Sequence, residues 1–176
     1  NPPVMGHDFS DICEVKFLES LPLMRAITGS RLNEDAERSR LSARLKMVGD
    51  DGMIWEPKRG RPWIESGTSA MNLSGGSTTG DHLFVPLMSG RFLGVLSLLY
   101  LLTQDRFALT TGERLVDGFN RLAVHEGEYA ATPYWLYSYG DPGATGGSLP
   151  TGFDATKDIW IIHGLAQFYR VTGYEP

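Results

Sequence analysis

The sequence predicts an all-α fold of repeated helical hairpins. Five segments have helical periodicity, and they alternate between apolar on nearly every face and amphipathic. Three of them end in a similar way around Thr28, Thr103 and Thr172, at intervals of about 70 residues. Strand-type alternation is never sustained for long. An inner layer of buried helices and an outer layer of half-exposed helices is the arrangement of an α/α-toroid, so we expect part of such a ring.

The first two predicted helices differ in character. Residues 11–28 are largely apolar, and Pro22 either kinks this helix or marks a restart within it. Residues 34–48 form an amphipathic helix with Asn33 as its expected N-cap. Acidic residues fill its first turn and basic residues its last, the order that the helix dipole favours.

The other three predicted helices repeat this alternation. Residues 91–103 are apolar on nearly every face, so this helix is expected to be buried all round. Residues 111–124 are amphipathic, and Thr110 with Glu113 fits a capping box. Residues 155–172 return to the buried type, with Asp154 as the expected N-cap. The third and fifth helices should therefore be less exposed than the second, and their uncovered sides should leave an exposed apolar flank.

Composition excludes several classes of protein. The 176 residues are 41% hydrophobic and 21% charged, which argues against disorder. Sixteen basic against twenty-one acidic residues give a net charge of −5, which argues against a nucleic-acid partner. The apolar stretch 92–102 is shorter than the roughly 20 residues of a membrane span. Cys13 is the one cysteine, so no disulfide or cysteine cage can form, and we expect no metal, no cofactor and no membrane partner.

Two long loops indicate where the site lies. Residues 49–90 and 125–154 connect amphipathic helices to buried ones, whereas the opposite connections are short. Ordered loops longer than about 12 to 15 residues are usually functional. Because the helices of successive hairpins run antiparallel, both long loops should emerge at the N-terminal ends of the inner helices. We expect the site at this rim.

The rim is rich in aromatic and charged residues, including three of the four tryptophans. Aromatic faces stack on sugar rings, and planar charged groups form paired hydrogen bonds with hydroxyls. The predicted substrate-binding residues are Trp55, Arg61, Trp63, His82, Tyr134, Trp135 and, within the fifth helix, His163. The alternatives are that the aromatics pack the loops onto the rim and that His163 is a buried core histidine. Arg91, at the start of an inner helix, is also available to pair with a neighbouring acid.

Two carboxylates are the predicted catalytic residues, since glycoside hydrolysis commonly uses a pair. Asp158 lies in the first turn of the otherwise apolar fifth helix, where a carboxylate faces either a pocket or a costly burial. Asp81 precedes His82 near the start of an inner helix. The alternatives are that Asp158 compensates the helix dipole and that Asp81 is a turn residue.

Four short motifs resemble the six-hairpin glycosidase superfamily. They are GMIWEP at 52–57, GRPW at 60–63, GRFLG at 90–94 and HGLAQFYRVTG at 163–173. The chain is especially similar to uncharacterised bacterial members near the β-L-arabinofuranosidase-like and unsaturated-uronyl hydrolase groups. The resemblance implies a glycoside hydrolase acting on plant or algal polysaccharide fragments, periplasmic or extracellular. It also implies an (α/α)6-toroid, of which this chain supplies about two and a half hairpins as an internal segment. The arabinofuranosidase type with a cysteine-rich zinc site does not match, because Cys13 stands alone.

Two other functions stay open. A toroid polysaccharide lyase would use a Tyr or His base beside a cation that neutralises a uronate, and Tyr134, Tyr137, His82 and Arg61 fit these roles. A non-catalytic helical scaffold would stack an oligosaccharide on its loops without converging carboxyl groups.

Overall fold

The computed structural model of the protein describes residues 10–49, 52–57, 82–84, 86–131, 137–138 and 155–176. These residues form a mainly helical fold, which confirms the predicted all-α class in its coarse form. The helices are α1 (Ser10–Thr28), α2 (Glu34–Leu45), α3 (Pro86–Thr103), α4 (Arg106–Leu122) and α5 (Ala155–Thr172). They supply most of the buried apolar core. No helix within the described ranges is long and apolar enough to span a membrane.

Five short strands accompany the helices in the part of the chain that the structure describes, and the sequence did not predict them. They are β1 (Trp55–Pro57), β2 (His82–Phe84), β3 (Val124–Glu126), β4 (Tyr129–Ala131) and β5 (Tyr137–Ser138). The order β1-β2-β5 forms an antiparallel sheet, and β3 pairs with β4 in an antiparallel hairpin. Strands of two or three residues are too short to produce a recognisable alternation, which explains why the pattern missed them.

Helix α3 is the centre of the described core. Its residues 92–98 are all buried, as expected for a helix that is apolar all round. It begins at Pro86 rather than at Arg91, and proline is well tolerated in a first helical turn. Helices α1, α4 and α5 all contact it.

Helices α3 and α5 pack closely and in parallel. A Cβ added to Gly90 would lie 2.6 Å from the Cα of Ile161, and one added to Gly94 would lie 3.1 Å from Oε1 of Gln167. The contacts therefore advance in the same direction along both helices. Only glycine permits this separation at Gly90, because any side chain there would meet backbone.

Both amphipathic helices pack residues against the core. Helix α4 reverses direction after the short connection 104–105 and buries one stripe that includes Leu115 and Phe119. Helix α2 contacts α1 and packs Leu41 and Leu45 against the core. Residues 46–49 follow α2 and lie near α4, where Nη2 of Arg114 donates a hydrogen bond to the carbonyl oxygen of Gly49 at 3.1 Å.

The start of α2 at Glu34 is confirmed without the expected capping hydrogen bond, whereas the predicted start of α4 is wrong. Asn33 stands at the N-cap of α2, but its backbone is left-handed (φ 60°) and its side chain forms no capping hydrogen bond. Helix α4 begins at Arg106, and the carboxylate of Asp105 accepts a hydrogen bond from the Phe107 backbone N–H at 2.9 Å. Thr110 therefore lies inside the helix, where its hydroxyl donates to the Arg106 carbonyl at 2.6 Å, and no capping box forms with Glu113.

The predicted burial of α1 and α5 is only partly right. Helix α5 buries one side through Ile161 and Phe168, but Ile159 and Ile162 on its other side are 59% and 62% exposed. Helix α1 similarly exposes its apolar residues Phe17, Met24 and Ile27. No described element covers these faces. The predicted exposed apolar flank is thus confirmed, whereas burial of α5 on every side is wrong for the described residues.

Candidate functional site

Most of the predicted rim residues lie outside the described residues. These are Arg61, Trp63, Asp81, Tyr134, Trp135 and also the expected N-cap Asp154. Trp55, His82 and Asp158 stand on β1, β2 and α5, where the backbone is described but their side chains are not. Their proposed roles remain predictions.

The strands join the two predicted rim loops. Strands β1 and β2 belong to the first long loop, and β5 belongs to the second. Phe84 pairs with Trp55 on one side and with Tyr137 on the other, so one sheet contains strands from both loops. The backbone therefore brings the two loops together near the start of α3, as antiparallel hairpins require.

A cleft of about 450 Å³ lies between α1 and α5. It is lined by Glu19 from α1 and by His163, Ala166, Gln167, Arg170 and Val171 from α5. Its volume falls in the range of small-molecule sites, roughly 300 to 1,000 Å³. His163 is exposed in this cleft, so the alternative of a buried core histidine is wrong.

The spacing of the α5 residues explains how they reach one cleft. His163, Ala166, Gln167 and Arg170 stand at positions i, i+3, i+4 and i+7, which share one face of a helix. Gly164 and Phe168 lie on the face toward the core. With a rise of 1.5 Å per residue, His163 and Arg170 start about 10 Å apart along the axis. They can therefore contact opposite ends of a ligand of about one sugar ring.

An ion pair links Glu19, on the α1 wall of the cleft, to Arg91 of the core helix α3. Nη2 of Arg91 on α3 donates a hydrogen bond to Oε2 of Glu19 at 2.7 Å. The guanidinium carbon of Arg91 also lies 4.2 Å from the ring centroid of Trp160 on α5, a cation–π distance. Arg91 thus pairs with an acid, as the sequence allowed, and it connects α1, α3 and α5 at one point.

Several polar groups at this site have no partner among the described residues. Oε1 of Gln167 and Nε of Arg91 are buried without a hydrogen bond. His163 and Arg170 form no ion pair with any residue that the structure describes, although both line the cleft. The buried Oε1 of Gln167 is closed to a ligand, so the cleft offers a carboxylate oxygen of Glu19, the imidazole of His163 and the guanidinium of Arg170. Within the same ranges, no three His, Cys, Asp or Glu side chains form a metal-binding group.

Sequence reasoning found His163 but missed Glu19, Gln167 and Arg170. A signal for Glu19 was present, because a carboxylate beside Leu18 in a mainly apolar helix carries the same cost as the one that singled out Asp158. Gln167 and Arg170 belong to the motif at 163–173 and share the helical face of His163. Only the packing of α1 near α5 shows that these residues meet.

Comparisons with protein-family models, curated proteins and solved structures find no match to this chain. The structure nevertheless gives physical roles to two of the motifs that carry the resemblance. The motif at 90–94 supplies Gly90 and Gly94 to the contact between α3 and α5, and the motif at 163–173 supplies Gly164 to that contact and His163 to the cleft.

Proposed function

We propose that the protein is a carbohydrate-active enzyme, a glycoside hydrolase of the α/α-toroid type that acts on plant or algal polysaccharide fragments. The observation that carries this proposal is the cleft between α1 and α5, with Glu19, His163, Gln167 and Arg170 on its walls. Planar charged and amide groups are suited to sugar hydroxyls, because each hydroxyl both donates and accepts a hydrogen bond.

The helix arrangement supports the toroid part of the proposal. Inner helices of such a ring run parallel to one another, and each inner helix has an inner neighbour on both sides. Helix α3 contacts both α1 and α5, whereas α1 and α5 expose apolar residues such as Met24 and Ile162. In the proposed toroid, further hairpins cover these two flanks and close the ring around the cleft.

The proposed reaction adds water across the bond between the anomeric carbon and the glycosidic oxygen. One carboxyl group gives its proton to the departing oxygen. A second carboxylate either takes a proton from the attacking water or attacks the anomeric carbon itself. In the latter case water then breaks the bond between this carboxylate and the anomeric carbon, and the first group, now a carboxylate, takes the proton of that water. Asp158 and Asp81 are the proposed pair. The separation of their carboxyl groups will decide the outcome, about 5 Å for retention and 6.5 to 9.5 Å for inversion.

A lyase is the second candidate, and the exposed imidazole of His163 favours it. An imidazole base removes a proton from C5 of a uronate while a cation, for which the sequence offers Arg61, neutralises the carboxylate bonded to C5. The C4–O bond then breaks, the departing oxygen takes up a proton from water, and the product carries a C4=C5 double bond. Because hydrolysis forms no such bond, the ultraviolet absorbance of the product separates the two reactions.

The test uses the full-length protein with soluble arabinan, xylan, pectate and alginate. Release of reducing ends and ultraviolet absorbance are followed together in the same samples. A glycoside hydrolase gives new reducing ends without absorbance, whereas a lyase gives both. Binding without any product indicates the non-catalytic scaffold, and neither binding nor product contradicts a carbohydrate function.

A matched pair of variants ties any activity to the cleft. His163→Ala removes the imidazole that lines the cleft, and His125→Ala removes an exposed imidazole on β3, which is not among the residues that line it. We expect the first change to lower kcat/KM at least tenfold and the second to leave it unchanged. Equal activity of both variants would place the reaction elsewhere in the protein.

A further inference from the structure

Glu19 differs from the other residues of the cleft because half of its carboxylate is already engaged. Its Oε2 accepts the hydrogen bond from Arg91 at 2.7 Å. Its Oε1 has no hydrogen-bond partner among the described residues, and the residue lines the cleft. One oxygen thus fixes the position of the carboxylate, and the other is available to a ligand.

Arg91 is itself held from two sides. Its guanidinium donates to Glu19 on one side and lies over the indole ring of Trp160 on the other. The side chains of Arg91 and Glu19 are only 16% and 20% exposed, so water competes weakly for the bond between them. A planar guanidinium that pairs with a carboxylate and stacks on an aromatic ring has little rotational freedom, a property that lysine does not share.

Resting on the proposed carbohydrate function, we propose that Glu19 binds a sugar hydroxyl through Oε1 and that Arg91, backed by Trp160, is the positioning residue for this carboxylate. The ligand is a sugar ring with neighbouring hydroxyls. One hydroxyl donates to Glu19 while His163 and Arg170, on the α5 wall, donate to oxygens farther along the ring. A carboxylate fixed before the ligand arrives loses little freedom on binding, which favours affinity.

Another ion pair between two helices serves as a reference for the pair between Arg91 and Glu19. Arg25 of α1 pairs with Glu37 of α2, and their side chains are 23% and 15% exposed. This pair also ties α1 to a neighbouring helix and is buried to a similar degree, but neither of its residues is among those that line the cleft. If the pair between Arg91 and Glu19 only held helices together, breaking either pair would have the same consequences.

The experiment compares Glu19→Gln, Arg91→Lys and Arg91→Met with the reference variant Glu37→Gln in the full-length protein. Arabinose, xylose, galactose and glucuronate are titrated individually while the NMR signal of the His163 imidazole is followed. Melting temperatures are measured for every variant, so that loss of folding is separated from loss of binding.

We expect at least one of the four sugars to shift the His163 signal. Glu19→Gln should then weaken its Kd about tenfold or more, because a hydrogen bond to a charged group is lost. Arg91→Met should weaken binding similarly, and Arg91→Lys should restore part of it by keeping the charge. Glu37→Gln should lower the melting temperature by a similar amount but leave the Kd unchanged.

Three results would overturn the inference: no sugar shifts the His163 signal, Glu19→Gln binds as the wild type does, or Glu37→Gln weakens binding equally. Failure of the proposed hydrolase function can be distinguished from failure of this inference. A sugar that binds in a Glu19-dependent way, while no glycan is cleaved, contradicts the hydrolase and supports the positioning role. A glycan that Glu19→Gln hydrolyses at the wild-type kcat/KM contradicts the positioning role alone.

Discussion

Gly164 of α5 lies directly against the carbonyl oxygen of Gly90 on α3. A side chain at Gly164 would overlap this oxygen, and backbone atoms cannot yield unless the two helices separate. The contact therefore sets the register between α3 and α5. Because His163 stands next to Gly164, and Gln167 lies one turn farther along, the same contact determines where both cleft residues stand relative to α3.

Gly164→Ala should therefore destabilise the protein. The overlap with backbone should lower the free energy of unfolding by about 1 to 3 kcal/mol, after the gain of about 1 kcal/mol in helix propensity. Gly94→Ala is the matched control, because its new Cβ would lie 3.1 Å from Gln167 Oε1, the end of a flexible side chain. Urea unfolding followed by circular dichroism measures both variants. An equal effect of the two would mean that the close backbone contact is absent.

The start of α4 gives a second prediction. Asp105→Ala removes the carboxylate that accepts from the Phe107 backbone N–H, and should cost about 1 kcal/mol of unfolding free energy. Thr110→Ala removes the residue that the sequence predicted as the cap. It should cost less, because the Thr110 hydroxyl only donates to Arg106 within the helix. A larger loss of unfolding free energy for Thr110→Ala than for Asp105→Ala would support the capping box predicted from the sequence.

The starts of α5 and α4 show what the sequence could and could not predict. The predicted fifth helix, 155–172, agrees with α5 at both ends, because periodicity is a local property. The start of α4 was misplaced by five residues because Asp105 and Thr110 both carry capping oxygens, and only the backbone around them decides between the two. The short strands were missed because pairs such as Trp55 with Phe84 join distant parts of the chain.

The same distinction holds for the candidate site. His163 could be selected as a polar residue on an apolar helix, whatever its neighbours are. Glu19 can be recognised as a site residue only from the contact of its partner Arg91 with Trp160, and these two residues belong to two other helices. No local pattern contains that information, since the contact depends on how closely α1, α3 and α5 pack.

The pH dependence of Tyr174 gives a third prediction. Its hydroxyl donates a hydrogen bond to Oδ1 of Asp117 at 2.8 Å, and this bond to a carboxylate raises the pKa of Tyr174 above its ordinary value. The folded protein thus holds the phenolic proton more tightly than the unfolded chain does. The stabilisation is fully present below the unfolded pKa of about 10 and is lost as the pH rises through the higher folded pKa.

Difference absorbance between the wild type and Tyr174→Phe isolates the phenolate signal of this residue. We expect its midpoint above pH 10 or so, the ordinary value for tyrosine. Asp117→Asn is the control, because it removes the negative charge but keeps an acceptor oxygen, and it should lower the pKa of Tyr174 toward that value. A wild-type midpoint at or below the ordinary value would show that the bond to Asp117 is not formed in solution.

The exposed apolar flanks give a fourth prediction. Ile27 and Ile162 are 84% and 62% exposed, so replacing both by glutamine should raise the soluble concentration of the chain and leave its melting temperature nearly unchanged. Ile161→Gln is the contrasting variant on the buried side of α5 and should lower the melting temperature markedly. Sedimentation and thermal unfolding measure these effects. A large stability loss from the surface variant would mean that these isoleucines are covered.

The catalytic assignment gives the last prediction. If the proposed hydrolase function holds, Asp158→Asn should lower kcat of the full-length protein by about 10² to 10⁴-fold, the contribution of a general acid or base, with little change in melting temperature. Trp63→Ala should mainly raise KM, because a stacking surface for the sugar is lost. Both are measured on a glycan that the wild type cleaves.

The competing explanation for Asp158 is that it only compensates the dipole of α5, and Asp35 provides the matched control. Asp35 stands in the first turn of α2, so Asp35→Asn removes the same charge from the first turn of another helix. Dipole compensation alone would make the two variants alike, each losing about 0.3 to 1 kcal/mol of stability and retaining full activity. If Asp158 is catalytic, the two variants differ in kcat, because Asp158→Asn then loses most of the turnover while Asp35→Asn retains it. Full activity of Asp158→Asn on every glycan that the wild type cleaves would remove Asp158 from the mechanism.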